Sequence, residues 1–283
     1  MQNYWAIVPA AGIGRRMGSA TPKQYLPLNG TPILQHTLAC LASHPAISGV
    51  LVALAPNDTW WPTLTLSSLI LPTITNRKFH RASLSSGATS HKDSKANEIA
   101  ARSAAPIYRV EGGAERCHSV LNALKAAMNP QIGAREKDWV LVHDAVRPCL
   151  RSTDIDRLIE ELSDHPVGGL LGTRVRDTMK RTDTASDVIK TVDREGLWHA
   201  LTPQMFRLGE LSKALTTCIR RGITVTDEAQ AMELELRART PKDPAPRMVE
   251  GAGDNIKITR PDDLVLAEFY INHRKMDENT PEK

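Results

Sequence analysis

Three short strand-like runs, 5–8, 107–110 and 139–142, each pass at once into a stretch of small, polar or charged residues. Between and beyond them the apolar residues recur at helical spacing. Ile33, Leu34, Leu38 and Leu41 form one such face, Val120, Leu121, Leu124 and Ala127 a second, and Ile155, Leu158, Ile159 and Leu162 a third. Runs such as 50–55 are apolar without alternation, as expected of a strand covered on both faces. Strands alternating with helices imply a mainly parallel sheet with helices on both faces. In such sheets ligands bind outside the carboxyl ends of the strands. The motifs that begin at Pro9, Glu111 and His143 should therefore share one edge.

The opening motif spans residues 5–25, WAIVPAAGIGRRMGSATPKQY. After the apolar run come small residues, the glycines Gly12, Gly14 and Gly18, and the cations Arg15, Arg16 and Lys23. Little side-chain bulk and many free backbone N–H groups let a polyanion lie close to the main chain. Arginine and lysine can then neutralise phosphate oxygens. The spacing is not that of a Walker A loop, and it misses the dinucleotide pattern G-x-G-x-x-G by one residue. A ribose-binding acid about 20 residues further on is also lacking, where His36 and Thr37 stand, so hydride transfer with a nicotinamide cofactor is disfavoured. The loop reads as a site for a nucleoside triphosphate, against a plain glycine-rich turn with solvated cations.

A length of 283 residues suits one large α/β domain or two modest ones. A formal net charge of +4, with the cations dispersed, does not indicate nucleic acid but is compatible with small anionic substrates. Cys40, Cys117, Cys149 and Cys218 are far apart and make no C-x-x-C pair. Reduced thiols in a cytoplasm follow, and a catalytic thiol is disfavoured because none sits in a nucleophile context. No signal-peptide pattern and no run near the roughly 20 apolar residues of a membrane span is present.

Residues 73–103 are rich in Ser, Thr, Lys, Arg, Asn and His and read as a long loop or insertion. Periodicity changes again over 174–198, where short alternating segments suggest a β-excursion from the sheet. Helices are expected at 208–220 and 227–237, short strands at 167–173, 247–250 and 256–259, and a closing helix at 261–272. A helix over 119–128 is expected after the Gly112-Gly113 loop, and Thr31 is a candidate cap for the first helix. This organisation is one domain over 1–273 followed by a polar tail, 274–283. Asp144, at the end of a buried strand, can hold a divalent metal or a ribose hydroxyl, or can simply cap the next turn.

The motifs PAAGIGRRM with PKQY, GGAER with Ser119, VHDAVRP, RDTMK, TVDREGLWHALTPQMF, TDEA and DNIKITRPDDL together resemble the 2-C-methyl-D-erythritol 4-phosphate cytidylyltransferases. The resemblance runs from Ala6 to about Tyr270, interrupted at 73–103. It implies a Rossmann-like sheet and a homodimer in which a protruding β-arm, here about 174–198, reaches the partner's active site. The implied reaction joins CTP and 2-C-methyl-D-erythritol 4-phosphate and releases pyrophosphate, with Mg2+ as the divalent cation. No protein nucleophile is required, and catalysis rests on alignment and charge stabilisation.

Carried onto these positions, the resemblance makes Arg16 and Lys23 the stabilisers of the transition state and the leaving pyrophosphate. Lys257 and Arg194 would position methylerythritol phosphate, Arg194 from the partner's arm, with Thr178 on the same substrate phosphate. Pro9, Ala10, Ala11 and Gly12 would line the CTP site through their backbone. Gly113 and Ser119 would face cytosine and ribose. Asp144 and Arg147 would meet the substrates near the magnesium ion, Asp144 as its candidate ligand. His118 departs from the family's pattern, which commonly has an acidic residue before the serine. Some relatives are fused to a later pathway enzyme, and the length here leads to the expectation of a monofunctional protein. The rival substrate is another polyol phosphate such as ribitol 5-phosphate; TVDREGLWHALTPQ and NIKIT favour methylerythritol phosphate. A non-catalytic CTP-binding regulator is the rival of a different class, and the full basic set speaks against it.

Overall fold

The computed structural model describes residues 2–12, 21–66, 104–237 and 244–278. The loop residues 13–20, with Arg15 and Arg16, lie outside these, and so does the whole segment 73–103.

Among the described residues a seven-stranded sheet forms the centre. Its strands are β1 (Tyr4–Pro9), β4 (Ile47–Leu54), β5 (Ile107–Glu111), β6 (Trp139–Val142), β7 (Gly168–Arg174), β10 (Trp198–Arg207) and β11 (Arg247–Glu250). Their order across the sheet is β11-β7-β10-β6-β1-β4-β5. β2 (Pro27–Leu28) and β3 (Thr31–Pro32) make a small hairpin, while β8 (Met179–Thr182) and β9 (Val188–Val192) pair apart from the sheet. β1 runs parallel to both β4 and β6, and β4 parallel to β5, so these four strands end on one edge.

Side-chain alternation along the strands builds the two cores. On β1, Ala6 and Val8 point into one apolar cluster, and Trp5 and Ile7 into the other. On β4 the same division separates Val50 and Val52 from Leu51 and Ala53. The first cluster takes in Leu34, Leu38 and Leu41 of α1 (Ile33–Ser43) and Ile155, Leu158 and Leu162 of α3 (Ser152–Leu162). The second takes in α2 (Arg116–Ala127), α4 (Leu208–Arg220) and α5 (Glu228–Arg237). Strands covered on both faces need apolar residues at every position, which is why 50–54 and 139–142 are unbroken apolar runs. A third, smaller cluster of Leu28, Ile33, Val146, Cys149, Ile258 and Ala267 seats α6 (Pro261–Glu278) beside the β2–β3 hairpin.

The structure differs from the sequence-based expectations at five places. α2 begins at Arg116 rather than Ser119; its N-cap, Glu115, makes no side-chain capping bond, so no Ser, Thr or Asp marks the start. Thr31 does not cap α1, because it pairs in the β2–β3 hairpin and Pro32 takes the cap position. Residues 256–259 form no strand, and their backbone bonds include Ile258 N–H to the Val146 carbonyl at 2.9 Å. β10 is a ten-residue strand antiparallel to both β6 and β7, concealed by its polar residues His199, Thr202 and Gln204. α6 continues to Glu278, through the 273/274 boundary expected between domain and tail.

The excursion over 174–198 is present. β8 and β9 pair antiparallel, and the side chains along both are exposed except the half-buried Val192. Their turn is tied by Asp183, whose carboxylate accepts from the N–H of Ala185 and of Asp187, each at 2.9 Å.

Candidate active site

The ends of β1, β5 and β6 line a cleft that is partly open to solvent. Its lining contains Pro9, Ala10, Ala11, Gly12, Lys23, Gln24, Gly113, Ala114, Glu115, Arg116, Ser119, Asp144, Ala145, Val146 and Lys257. The shared edge expected from the three motifs is thus observed.

The first wall is backbone. Ala10 N–H bonds the Ala53 carbonyl at 2.8 Å, and the Ala10 carbonyl accepts from Gln24 Nε2 at 2.8 Å. Gln24 is buried, so it pins the start of the glycine loop to its end. A Cβ at Gly12 would meet nothing within 4 Å, so this part of the wall faces open space. Lys23 stands beside it, in a short 3-10 turn, with Nζ 3.5 Å from the Ile258 carbonyl.

The second wall needs glycine for close approach. A Cβ at Gly112 would lie 2.6 Å from Ala11 Cβ and 3.0 Å from the Leu54 carbonyl. Gly113 N–H donates to Ser119 Oγ at 3.0 Å, and that hydroxyl donates to the Glu115 carbonyl at 3.2 Å. Ser119 therefore braces the loop from inside.

The third wall carries the charge. Asp144 Oδ1 accepts from Arg116 Nε at 3.2 Å, and Oδ2 pairs with Lys257 Nζ at 2.9 Å and Arg147 Nε at 3.5 Å. Arg116 also forms a fork with Glu228, at 2.6 and 3.0 Å. Burial opposes the charge on Asp144, but Arg116, Lys257 and Arg147 outweigh it and hold the carboxyl well below its usual range. Burial likewise disfavours the Arg116 cation, yet Glu228 and Asp144 keep it firmly protonated. Arg147 turns away from the cleft lining and donates through Nη1 to the Asn255 carbonyl at 2.6 Å, which fixes the segment leading to Lys257.

Behind Asp144 sits His143, fully buried. Its Nε2 lies 3.0 Å from the Arg147 carbonyl, which can only accept, so Nε2 carries the proton. Nδ1 then accepts from Thr202 Oγ1 at 2.9 Å, and the same Oγ1 accepts from Asp144 N–H at 3.1 Å. Asn255 Nδ2 bonds the Thr202 carbonyl at 2.7 Å. Burial lowers the His143 pKa to about 4.

Of the residues expected from sequence, the structure brings together Pro9, Ala10, Ala11, Gly12, Lys23, Gly113, Ser119, Asp144 and Lys257. Arg16 falls outside the described residues. Thr178 and Arg194 lie on the exposed arm and do not line the cleft; Arg194 bonds the Arg176 carbonyl of its own arm. Sequence reasoning gave no role to Arg116, Glu228, Gln24, Thr202 or Asn255. Each sits inside a quoted motif, but nothing in the spacing joins residue 116 to residue 228.

The family model described as 2-C-methyl-D-erythritol 4-phosphate cytidylyltransferase matches residues 4–101 and 87–273. The chain is 46% identical over 272 residues to the protein of that name from Pseudomonas fluorescens, covering 96% of this chain and 97% of the relative. It is 49% identical over 269 residues to the one from Aeromonas hydrophila, covering 95% and 90%. Among solved structures, the Francisella tularensis enzyme of that name superposes with a TM-score of 0.67 at 32% identity, covering 95% of this chain and 99% of the other. A crystal structure of 4-diphosphocytidyl-2C-methyl-D-erythritol synthase gives 0.69 at 28% identity, covering 96% and 100%.

Two stability experiments test this geometry. Arg116→Met leaves Glu228 buried without its cation and should cost about 3 kcal/mol in chemical denaturation; a loss within error would show the fork to be dispensable. A histidine whose folded pKa is lowered binds its proton more readily when unfolded. Stability should therefore be full above pH 6.5 and fall between there and about 4, by roughly 3 kcal/mol. His143→Asn should flatten that slope, and equal slopes in both proteins would exclude His143 as its source.

Proposed function

The chain belongs to the 2-C-methyl-D-erythritol 4-phosphate cytidylyltransferase family and transfers CMP from CTP to 2-C-methyl-D-erythritol 4-phosphate, and we propose the following division of labour among its residues. The observation that carries it is the convergence of a backbone-lined wall, Lys23 and the Lys257–Asp144 pair on one cleft.

An oxygen of the acceptor phosphate attacks the α-phosphorus of CTP. The bond to the bridging α–β oxygen breaks, and its electron pair leaves with pyrophosphate. No side chain forms a covalent bond, so the protein's work is alignment and charge stabilisation. Pro9 to Gly12 present backbone to the triphosphate. Lys23, with Arg16 from the same loop, meets the negative charge that builds on the α-phosphate and the departing pyrophosphate. Gly113 and Ser119 shape the nucleoside side, Ser119 through the brace it gives the loop. Lys257 meets the acceptor phosphate, its position set by Asp144 and by the Arg147–Asn255 bond behind it.

Mg2+ prefers a few oxygen ligands and keeps water and phosphate oxygens as the rest. Asp144 fits that role: it is ionised, borders the cleft, and is one carboxylate among phosphate-binding groups. When bound, the ion would neutralise triphosphate charge.

The arm supplies the remainder. We propose a homodimer in which Thr178 and Arg194 of each arm reach the partner's acceptor site. Val188 and Ile189, each 61% exposed on β9, support this, because a free arm would leave them in water. The described structure has four free cysteines, in keeping with a reducing cytoplasm. No described helix is long and apolar enough to cross a membrane.

Lys23→Ala should lower kcat at least ~100-fold in a pyrophosphate-release assay, as removal of preorganised charge does. Near-normal turnover would remove that lysine from the chemistry. Arg194→Ala and Lys23→Ala subunits, each inactive alone, should regain activity when mixed, since one composite site per heterodimer is intact. No recovery in verified heterodimers would refute the shared site.

A further inference from the structure

Three side chains at the start of α2 take no part in the reaction described above. Glu115, Cys117 and His118 each place a ligand atom within 4.8 Å of the other two. Cys117 Sγ is 3.8 Å from Glu115 Oε2. Cys117 is buried, His118 half-buried and Glu115 exposed, so the group opens from the interior toward solvent. A second observation concerns His118 alone: among the described residues its Nδ1 is buried without a hydrogen-bond partner. Buried polar atoms almost always have one, so this nitrogen is open to a ligand.

We propose that Glu115, Cys117 and His118 bind a borderline-soft divalent cation of the zinc class, at a site distinct from the hard cation expected at Asp144. The donor set decides the metal. Thiolate and imidazole suit zinc and its neighbours, whereas magnesium takes oxygen ligands. Three protein ligands leave a fourth position open, as in zinc sites that exchange water. On binding, the thiol proton passes to solvent and the sulfur electron pair goes to the metal.

The site also reaches the cleft. Glu115 lines it, and the stretch from Gly113 into the first turn of α2 is held by the Ser119 brace. An ion that draws the Glu115 carboxylate toward Cys117 reshapes the nucleotide wall, so occupancy should act on CTP binding. This consequence rests on the functional reading above; the ion binding itself does not.

The test uses the full, reduced chain titrated with Co2+ alone and followed by absorbance. One equivalent should bind with a thiolate-to-cobalt charge-transfer band, and Zn2+ should displace it. Cys117→Ser should abolish the band, and His118→Ala should weaken binding at least tenfold. No thiolate band, or unchanged affinity in His118→Ala, would overturn the site. With Mg2+ held saturating, Zn2+ should raise the KM for CTP in the unmodified chain but not in His118→Ala. An equal response in both would overturn the link to the nucleotide wall.

Discussion

A carboxylate enclosed by cations organises this cleft. Asp144 is buried and ionised, and an ion in that position is tolerated only with compensation. Its partners come from α2, from the loop after β6 and from the segment before α6. Two of these partners are held in turn, Arg116 by Glu228 at the start of α5 and Arg147 by the Asn255 carbonyl. Segments far apart in the chain thus meet at one residue. Movement of α2 or of the loop after β6 would weaken that compensation, so the network fixes the walls of the cleft relative to one another.

The sheet was legible because its rule is local. Apolar runs such as 139–142 follow from cover on both faces, and the alternation of strand and helix points to one ligand edge. Glycine at 112 could be read as a loop residue, but its need for close approach to Ala11 appears only in three dimensions. β10 was not legible as one strand. Its polar residues are there for a purpose: Thr202 bridges His143 and Asp144, and Gln204 joins Asp227 at 2.9 Å and the Ala229 N–H at 2.8 Å. A polar residue that spends its hydrogen bonds across the fold breaks the alternation by which a strand is recognised.

The candidate site divides in the same way. Residues that line the cleft within short motifs, such as Gly12, Lys23 and Lys257, could be named from their neighbours. Residues that act by holding those groups could not, because their partners are remote. Arg116 and Glu228 are 112 positions apart. His143 lies next to Asp144, yet it is not placed to act as a base. Its ring is instead sealed between Thr202 and the Arg147 carbonyl and stays neutral well below pH 6.

The cations around Asp144 are not equivalent, and the difference assigns them separate work. Arg116 is committed to two carboxylates through a planar fork, so it has little freedom to follow a substrate. Arg147 is buried and donates to backbone. Lys257 is 39% exposed, carries a flexible stem, and meets Asp144 as a single point of charge. In the proposed reaction an arriving phosphate would draw Lys257 toward itself while Asp144 remains compensated by the two arginines. The two arginines then keep the carboxylate ionised and placed, and the lysine is the member able to trade a protein anion for a substrate anion. This is why a network of cations around one buried acid serves phosphoryl chemistry better than a single pair: one partner can leave without stranding the charge.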